Sequence, residues 1–162
     1  MKFDPFHQLS ARPEPDPEPA SPPPYEPSSF SLFAEMFVAE LGEAVPAAQR
    51  RGFYLAVGRR MAAVEALDGV SDVAALNERV NAFWKLMGWG QAEIALEREA
   101  IVVRHFDPPL PGTDAPTGPW LGMLLAVLEG AYDCWFRKLG SGPALNTTAE
   151  WKGDTVELRH GR

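Results

Sequence analysis

The chain is poor in cysteine and in positive charge. Cys134 is its one cysteine in 162 residues, so an internal disulfide and a zinc site made of several cysteines are excluded. Lys and Arg number 15 against 22 Asp and Glu, which gives a formal net charge of −7. Because proteins bind DNA or RNA through clustered Lys and Arg that neutralise phosphates, we expect no nucleic acid partner.

Long apolar segments are absent too. A membrane-spanning helix needs about 20 apolar residues, and the most apolar segment, 120–136, is interrupted by Glu129 and Asp133. The first residues, which include Lys2 and Asp4, lack the central apolar run of a secretory signal peptide. We therefore expect no membrane span and a cytoplasmic location, with the periplasm as the alternative.

The motifs of common catalytic sites are absent as well. No glycine-rich phosphate loop, no Gly-x-Ser-x-Gly and no His-Glu-x-x-His occurs. His105 and His160 are expected at surface positions, and Ser141 and Thr147 have no base near them in the sequence. We therefore predict that the protein is not an enzyme and that it has no metal site and no cofactor.

Proline is abundant, with 16 residues, and it marks a separate N-terminal segment. Residues 12–19 alternate proline with charged residues, and 22–24 are three consecutive prolines. Proline fixes φ and removes amide donors, so such a segment favours extended polyproline II conformation and builds no core. We predict that residues 1–28 are a disordered acidic tail and that 29–162 form a single domain.

The tip of this tail carries three large apolar residues, Phe3, Phe6 and Leu9. A small apolar cluster at the end of a polar, proline-rich spacer is typical of a docking motif that binds a partner. An ordinary ragged terminus is the alternative interpretation.

Apolar residues spaced three and four apart predict four helices in the domain. Their expected ranges are 31–43, 46–67, 71–88 and 120–139, the third being capped by Ser71 and ended by Gly88. The residues expected to face the core in the first two helices are Phe33, Phe37 and Leu41, then Phe53, Val57, Met61 and Val64. Those expected in the third are Val73, Leu76, Val80, Phe83 with Trp84, and Met87.

Arg50 and Arg51 follow closely after Glu43, which favours a solvated, ion-paired surface over a binding patch.

Strand patterns follow the third and fourth helices. Residues 91–97 alternate apolar with polar and 99–106 are rich in β-branched residues, which predicts a hairpin. A second hairpin is expected from 144–151 and 154–160, with its turn at 152–154. The resulting order, ααα-ββ-α-ββ, indicates an α+β fold.

The fourth helix contains an unusual pair, Glu129-Gly130, within its apolar face. Burying a carboxylate is costly unless it is paired, and a glycine within a helix costs about 1 kcal/mol relative to alanine. The pair therefore predicts close approach of another helix or a specific hydrogen bond. The five tryptophans favour core or subunit-interface packing over stacking on sugar rings.

Several segments resemble the D subunit of bacterial cellulose synthase (the BcsD family). They are Phe30-Ser31-Leu32-Phe33, Val57-Gly58-Arg59, Met61-Ala62, Leu76-Asn77, Met87-Gly88-Trp89-Gly90, Val102 to Leu110 with His105, and Trp120-Leu121 followed by Leu128-Glu129-Gly130, Tyr132 and Trp135. The resemblance covers about 29–160. The chain departs from the family pattern in its proline-rich first 28 residues and at Ala131, Asp133 and Cys134.

The resemblance implies a non-catalytic accessory protein of cellulose biosynthesis. Such a protein is expected to form a ring-shaped homo-oligomer, an octamer built from dimers, that organises synthase complexes or guides glucan chains. Its expected partners are further copies of itself, other cellulose synthase subunits and glucan chains. A cytoplasmic scaffold with the tail as a recruiting arm fits best, and a regulatory module that binds a small molecule or lipid in an apolar pocket is the alternative.

The resemblance also suggests where copies meet. Gly130 would let a neighbouring helix approach, and Glu129 would accept a buried hydrogen bond that fixes the register of the contact. Tyr132, Trp135 and Trp89 are the other residues expected at the interface between copies.

Overall fold

The computed structural model describes residues 29–111 and 118–162, with the side chain of Ser29 excepted. The helices in this part of the chain are α1 (Ser29–Ala44), α2 (Ala47–Val64), α3 (Val73–Met87) and α4 (Gly118–Lys138). The strands are β1 (Gln91–Leu96), β2 (Ala100–Phe106), β3 (Asn146–Lys152) and β4 (Thr155–Gly161). This confirms the predicted element order and the α+β class.

The four strands form one antiparallel sheet in the order β1-β2-β4-β3. Each predicted hairpin supplies one edge strand and one central strand, and the hairpins join where β2 pairs with β4. His105 in β2 lies opposite Ala92 of β1 on one side and Val156 of β4 on the other. Helix α3 packs against β1, and α4 packs against β3. These two helices therefore contact the sheet at its two edge strands.

The core has two parts that meet along α4. The first lies between α3, the second half of α4 and the sheet, and contains Trp84, Tyr132 and Trp135. The second lies between α1, α2 and the first half of α4, and contains Val38 and Tyr54. Because α4 contributes to both parts, the position of α2 on α4 fixes how the two halves of the molecule are arranged.

Helix α3 ends as the sequence predicts but begins at a different cap. Asp72 is the N-terminal capping residue, and its side chain accepts a hydrogen bond from the amide of Ala75 at 2.8 Å, so the prediction of Ser71 was wrong by one residue. A carboxylate is favoured at this position because it also interacts with the positive end of the helix dipole. Gly88 closes the helix with φ of 66°, a left-handed conformation that glycine adopts without strain.

The core-facing side of α2 differs from the prediction. Tyr54, Gly58 and Ala62 are buried, whereas Phe53 and Val64 are exposed. Val57 and Met61 are partly buried and pack against the core as predicted. The apolar pattern added Phe53 and Val64 because it gave weight to large side chains. At its closest approach to α4 the helix has Gly58, since close packing of two backbones leaves no room for a side chain there.

Helix α1 and the end of α3 show the same kind of correction. Val38 is the buried residue of α1, while Phe33 and Phe37, expected in the core, are exposed. Met87 at the end of α3 is exposed as well. Helix α1 therefore has more large apolar side chains than the described part of the chain covers.

Two predictions fall on residues outside the described part. The proline-rich tail over 1–28, with Phe3, Phe6 and Leu9 at its tip, lies outside the described residues, and so does most of the loop before α4. The expectations about the tail stay predictions. Within 29–111 and 118–162, every helix is too short or too polar to cross a bilayer.

Candidate functional site

Two glycines lie where α2 crosses α4. A Cβ atom on Gly58 would come closer than 3.0 Å to the backbone carbonyl of Val127, and one on Gly130 would come as close to the carbonyl of Leu55. Each glycine therefore lies directly against the backbone of the opposite helix. The close approach predicted at Gly130 is present, and the approaching helix is α2 of the same chain.

Glu129 forms an ion pair across this crossing. Its Oε1 accepts a hydrogen bond from Nη2 of Arg51 at 2.6 Å, and the backbone of Ala149 supplies a further hydrogen bond. Burial raises the pKa of Glu129, and the hydrogen bond and charge of Arg51 oppose that rise only in part. The carboxylate thus joins α2, α4 and β3.

The neighbouring Arg50 closes the end of α1. Its Nη1 donates to the carbonyl oxygens of Gly42 and Val45, at 2.8 Å each. The expectation that Arg50 and Arg51 pair with Glu43 is therefore wrong. The unpaired carbonyl oxygens at the C-terminus of α1 attract the cation of Arg50. The buried carboxylate of Glu129 attracts Arg51 more strongly than an exposed carboxylate would.

The residues predicted to contact another copy of the chain lie mostly inside it. Tyr132 and Trp135 have no exposed surface, Gly130 is covered by α2, and Glu129 is 9% exposed. A fully buried side chain of one folded copy cannot contact a second copy, so the interface prediction is corrected for Tyr132 and Trp135. Trp89 is partly exposed, and its role between copies stays a prediction.

A chain of hydrogen bonds runs through the core beside α4. The indole N–H of Trp84 donates to the hydroxyl of Tyr132 at 2.9 Å, and that hydroxyl lies 3.0 Å from Nδ1 of His105. His105 Nε2 lies 2.7 Å from the carbonyl of Trp89. Because Tyr132 accepts from Trp84, it donates to Nδ1, and the neutral ring donates from Nε2 to Trp89.

His105 is thus a structural residue at a buried position. Its expected surface position is wrong, because it has no exposed surface. Burial lowers the pKa of His105 to about 4, and the hydrogen bond to Trp89 only partly offsets this. The ring therefore stays neutral near neutral pH.

His160 is buried too, and it connects the end of α4 to the sheet. Thr147 donates to Oδ1 of Asp133 at 3.2 Å, so its oxygen accepts from Nδ1 of His160 at 2.8 Å. Nε2 of His160 then accepts from the hydroxyl of Ser141. The base that the sequence did not reveal near Ser141 is thus His160 of β4.

An apolar groove of about 660 Å³ opens between α1, α2 and the start of α4. The segments that follow α3 and β2 complete its walls. Among its lining residues are Phe30, Glu35, Phe37, Phe53, Tyr54, Val57, Trp89, Leu110, Trp120 and Met123. Such a groove, apolar and rich in aromatic rings, has the size and character of a site for an apolar ligand or peptide.

Tyr54 lines this groove and carries a buried polar atom. Its side chain is 4% exposed, and its hydroxyl is buried without a hydrogen-bond partner among the described residues. Burial raises the pKa of Tyr54, so the hydroxyl keeps its proton and is a donor in need of an acceptor. Tyr54 was not predicted as a site residue, because one tyrosine within an amphipathic helix carries no distinctive signal.

Helix α1 presents an exposed apolar surface next to the groove. Phe30, Leu32, Phe33 and Met36 are between 51% and 75% exposed. Monomeric proteins rarely expose a continuous apolar patch of this kind, and such patches mark interaction surfaces. The sequence contained this signal in the form of more apolar residues on α1 than one helix face can bury.

The described residues contain no group of three or more His, Cys, Asp or Glu side chains placed to hold a metal ion.

The sequence matches one known protein family over most of its length. The model of the family described as the D subunit of cellulose synthase matches residues 25–161, which include every described helix and strand. No curated protein matches the sequence.

Proposed function

Because the chain belongs to the family of the cellulose synthase D subunit, and so to cellulose biosynthesis, we propose that it acts there as a non-catalytic scaffold. In this proposal copies of the chain assemble into a homo-oligomeric ring, an octamer built from dimers. The ring holds other synthase subunits in an ordered array, and the packing of the glucan chains depends on that order. We place the scaffold in the cytoplasm, with the periplasm as the alternative.

The observation that carries this proposal is the exposed apolar surface of α1. Its four side chains, Phe30, Leu32, Phe33 and Met36, extend from a helix that buries Val38 alone. Contact with a second copy would remove this surface from water, at about 25 cal/mol for each Å² of apolar area. The two buried histidines, His105 and His160, are engaged in hydrogen bonds within the core, which also supports a scaffold more than a catalyst.

Light scattering of the purified protein tests the assembly directly. The Phe33→Glu variant places a charge on the proposed contact and is expected to shift the protein to a smaller species. Phe33 is 64% exposed, so the chain should still fold. Ala74→Glu adds the same charge at an exposed position of α3 and should leave the assembly intact. An unchanged molecular mass for Phe33→Glu would contradict the proposed contact.

A regulatory module that binds a small molecule or lipid is the second candidate. The apolar groove favours it. Native mass spectrometry distinguishes the two candidates, since a scaffold gives a large species without added mass, whereas a regulator gives a small species that carries a bound ligand.

A further inference from the structure

We propose that residues 3–9 of this chain's own N-terminal tail bind in the apolar groove beside α1. The tail then acts as an internal peptide ligand, with Phe3, Phe6 and Leu9 as its anchors. This inference does not depend on the role in cellulose biosynthesis.

The tail is attached at the rim of the groove. The described part of the chain begins at Ser29, and the next two residues, Phe30 and Ser31, line the groove. Residues 10–28 would reach about 60 Å if fully extended as polyproline II, which is ample for the tip to turn back.

The tip of the tail matches the groove in its pattern of apolar residues. Polyproline II has three residues per turn, so in a peptide bound in that conformation residues spaced three apart, such as Phe3, Phe6 and Leu9, would lie on the same side. Grooves lined with aromatic side chains are typical receptors for extended peptides of this type. Trp89 and Trp120 line this one.

The charge in the groove also suits this peptide. Glu35 lies in the lining, where Lys2 would complement its charge. The acidic repeat over 12–19 would be repelled by Glu35, so the apolar tip is the better occupant.

Photo-crosslinking of the full-length chain tests the proposal. Phe6 is replaced by the photoreactive residue p-benzoylphenylalanine, and equal amounts of unlabelled and heavy-isotope-labelled protein are mixed before irradiation. The expected result is cross-links from position 6 to groove residues such as Val57 and Trp120, within chains of the same isotope. The same replacement at Ala20, in the proline-rich spacer, serves as the matched control and should give no cross-links to the groove.

Two variants show whether the groove itself is responsible. Phe53→Glu puts a charge at a half-exposed position of the lining and should reduce the cross-link at least about tenfold, since it removes the burial of an aromatic side chain. Tyr54→Phe removes only a hydroxyl that has no exposed surface, so it is the matched control and should leave the cross-link unchanged. Cross-links to another surface, between chains of different isotope, or absent altogether would overturn the proposal, as would a bound small molecule that must be extracted before the cross-link forms.

Discussion

Glu129 shows how a costly residue is accommodated by partners far away in the sequence. Its carboxylate is buried between α2, α4 and β3, and Arg51, 78 positions earlier, provides its counter-charge. The sequence predicts that Glu129 needs a specific hydrogen bond, but it does not identify the donor. Arg51 is expected to pair with the nearby Glu43, because helical spacing describes local neighbours only and α2 meets α4 through the tertiary fold.

Removing the partner of Glu129 should destabilise the fold. In Arg51→Ala the carboxylate is left buried without its counter-charge, and we expect the free energy of unfolding to fall by about 1–2 kcal/mol. This is less than for a fully buried pair, because the Arg51 side chain is 55% exposed and solvent screens the interaction. Urea denaturation measures the change, with Glu129→Gln as a variant that keeps the shape of the side chain.

The loss should depend on pH in a defined direction. Burial raises the pKa of Glu129, so the folded state takes up a proton at a higher pH than the unfolded state does. At pH values below that folded pKa the side chain is neutral and no longer needs Arg51. The destabilisation of Arg51→Ala should therefore shrink in acidic buffer, and an equal or larger loss there would contradict this account.

His105 should make the fold sensitive to acid. The unfolded chain binds a proton at His105 as the pH falls through 6.5, whereas the folded chain does so only near 4, because burial lowers the pKa. The unfolded state therefore holds more protons between these values, and stability is lost as the pH falls through them, by on the order of 3 kcal/mol. His160, whose pKa burial also lowers, acts in the same direction.

Urea denaturation at a series of pH values measures this effect. In His105→Gln, whose amide can still contact Tyr132 and Trp89 but does not titrate, the dependence on pH between 6.5 and 4 should be weaker. Two variants with the same pH dependence as the parent, His105→Gln and the corresponding His160→Gln, would show that other groups cause the acid sensitivity.

At the scale of elements, the order of helices and strands could be predicted because each one has its own local pattern. The periods of three to four residues and of two identify α1 to α4 and β1 to β4 without any tertiary information. The side of each helix that faces the core was harder to predict from the sequence. In α2 the true contact is made by Gly58 and its small neighbours, and a glycine contributes nothing to an apolar pattern. The groove was inaccessible for the same reason, since it exists only between elements.

The crossing of α2 and α4 gives a sharp test at this scale. In Gly130→Ala the new Cβ would collide with the carbonyl of Leu55, so the helices must separate, and we expect a loss of about 2–3 kcal/mol or more in the free energy of unfolding. Gly122→Ala is the matched control in the same helix, because nothing lies within 4 Å of its Cβ position. This control should be neutral or stabilise by about 0.5–1 kcal/mol, since alanine is the better helix former.

These two variants also distinguish packing within the chain from contact between chains. If Gly130→Ala were found to unfold at the same urea concentration as the parent while its oligomer dissociated, the close approach would lie between copies. We expect instead that Gly130→Ala unfolds at a lower urea concentration than the parent, because the close approach lies within the chain.

At the scale of the whole molecule, the two parts of the described fold differ in what they expose to solvent. The half built from α3, the second part of α4 and the sheet is closed, with Trp84, Tyr132 and Trp135 buried and hydrogen-bonded. The half built from α1, α2 and the start of α4 is open, since it carries the exposed apolar surface and the groove. Contacts with other molecules are therefore expected on the α1 side, and the sheet side provides a rigid support.

Cellulose made in cells tests this division at its largest scale. A scaffold affects how glucan chains are arranged, whereas a catalyst affects how much glucan is made. Replacing the native chain by Phe33→Glu, which disturbs the exposed α1 surface, should therefore leave the amount of cellulose unchanged and lower its crystallinity, measured by X-ray diffraction of the purified polymer. Ala74→Glu, with the same added charge on α3, should leave both quantities as they are in the parent strain. A fall in the amount of cellulose with unchanged crystallinity would show that the protein supports synthesis itself, and the scaffold role would have to be abandoned.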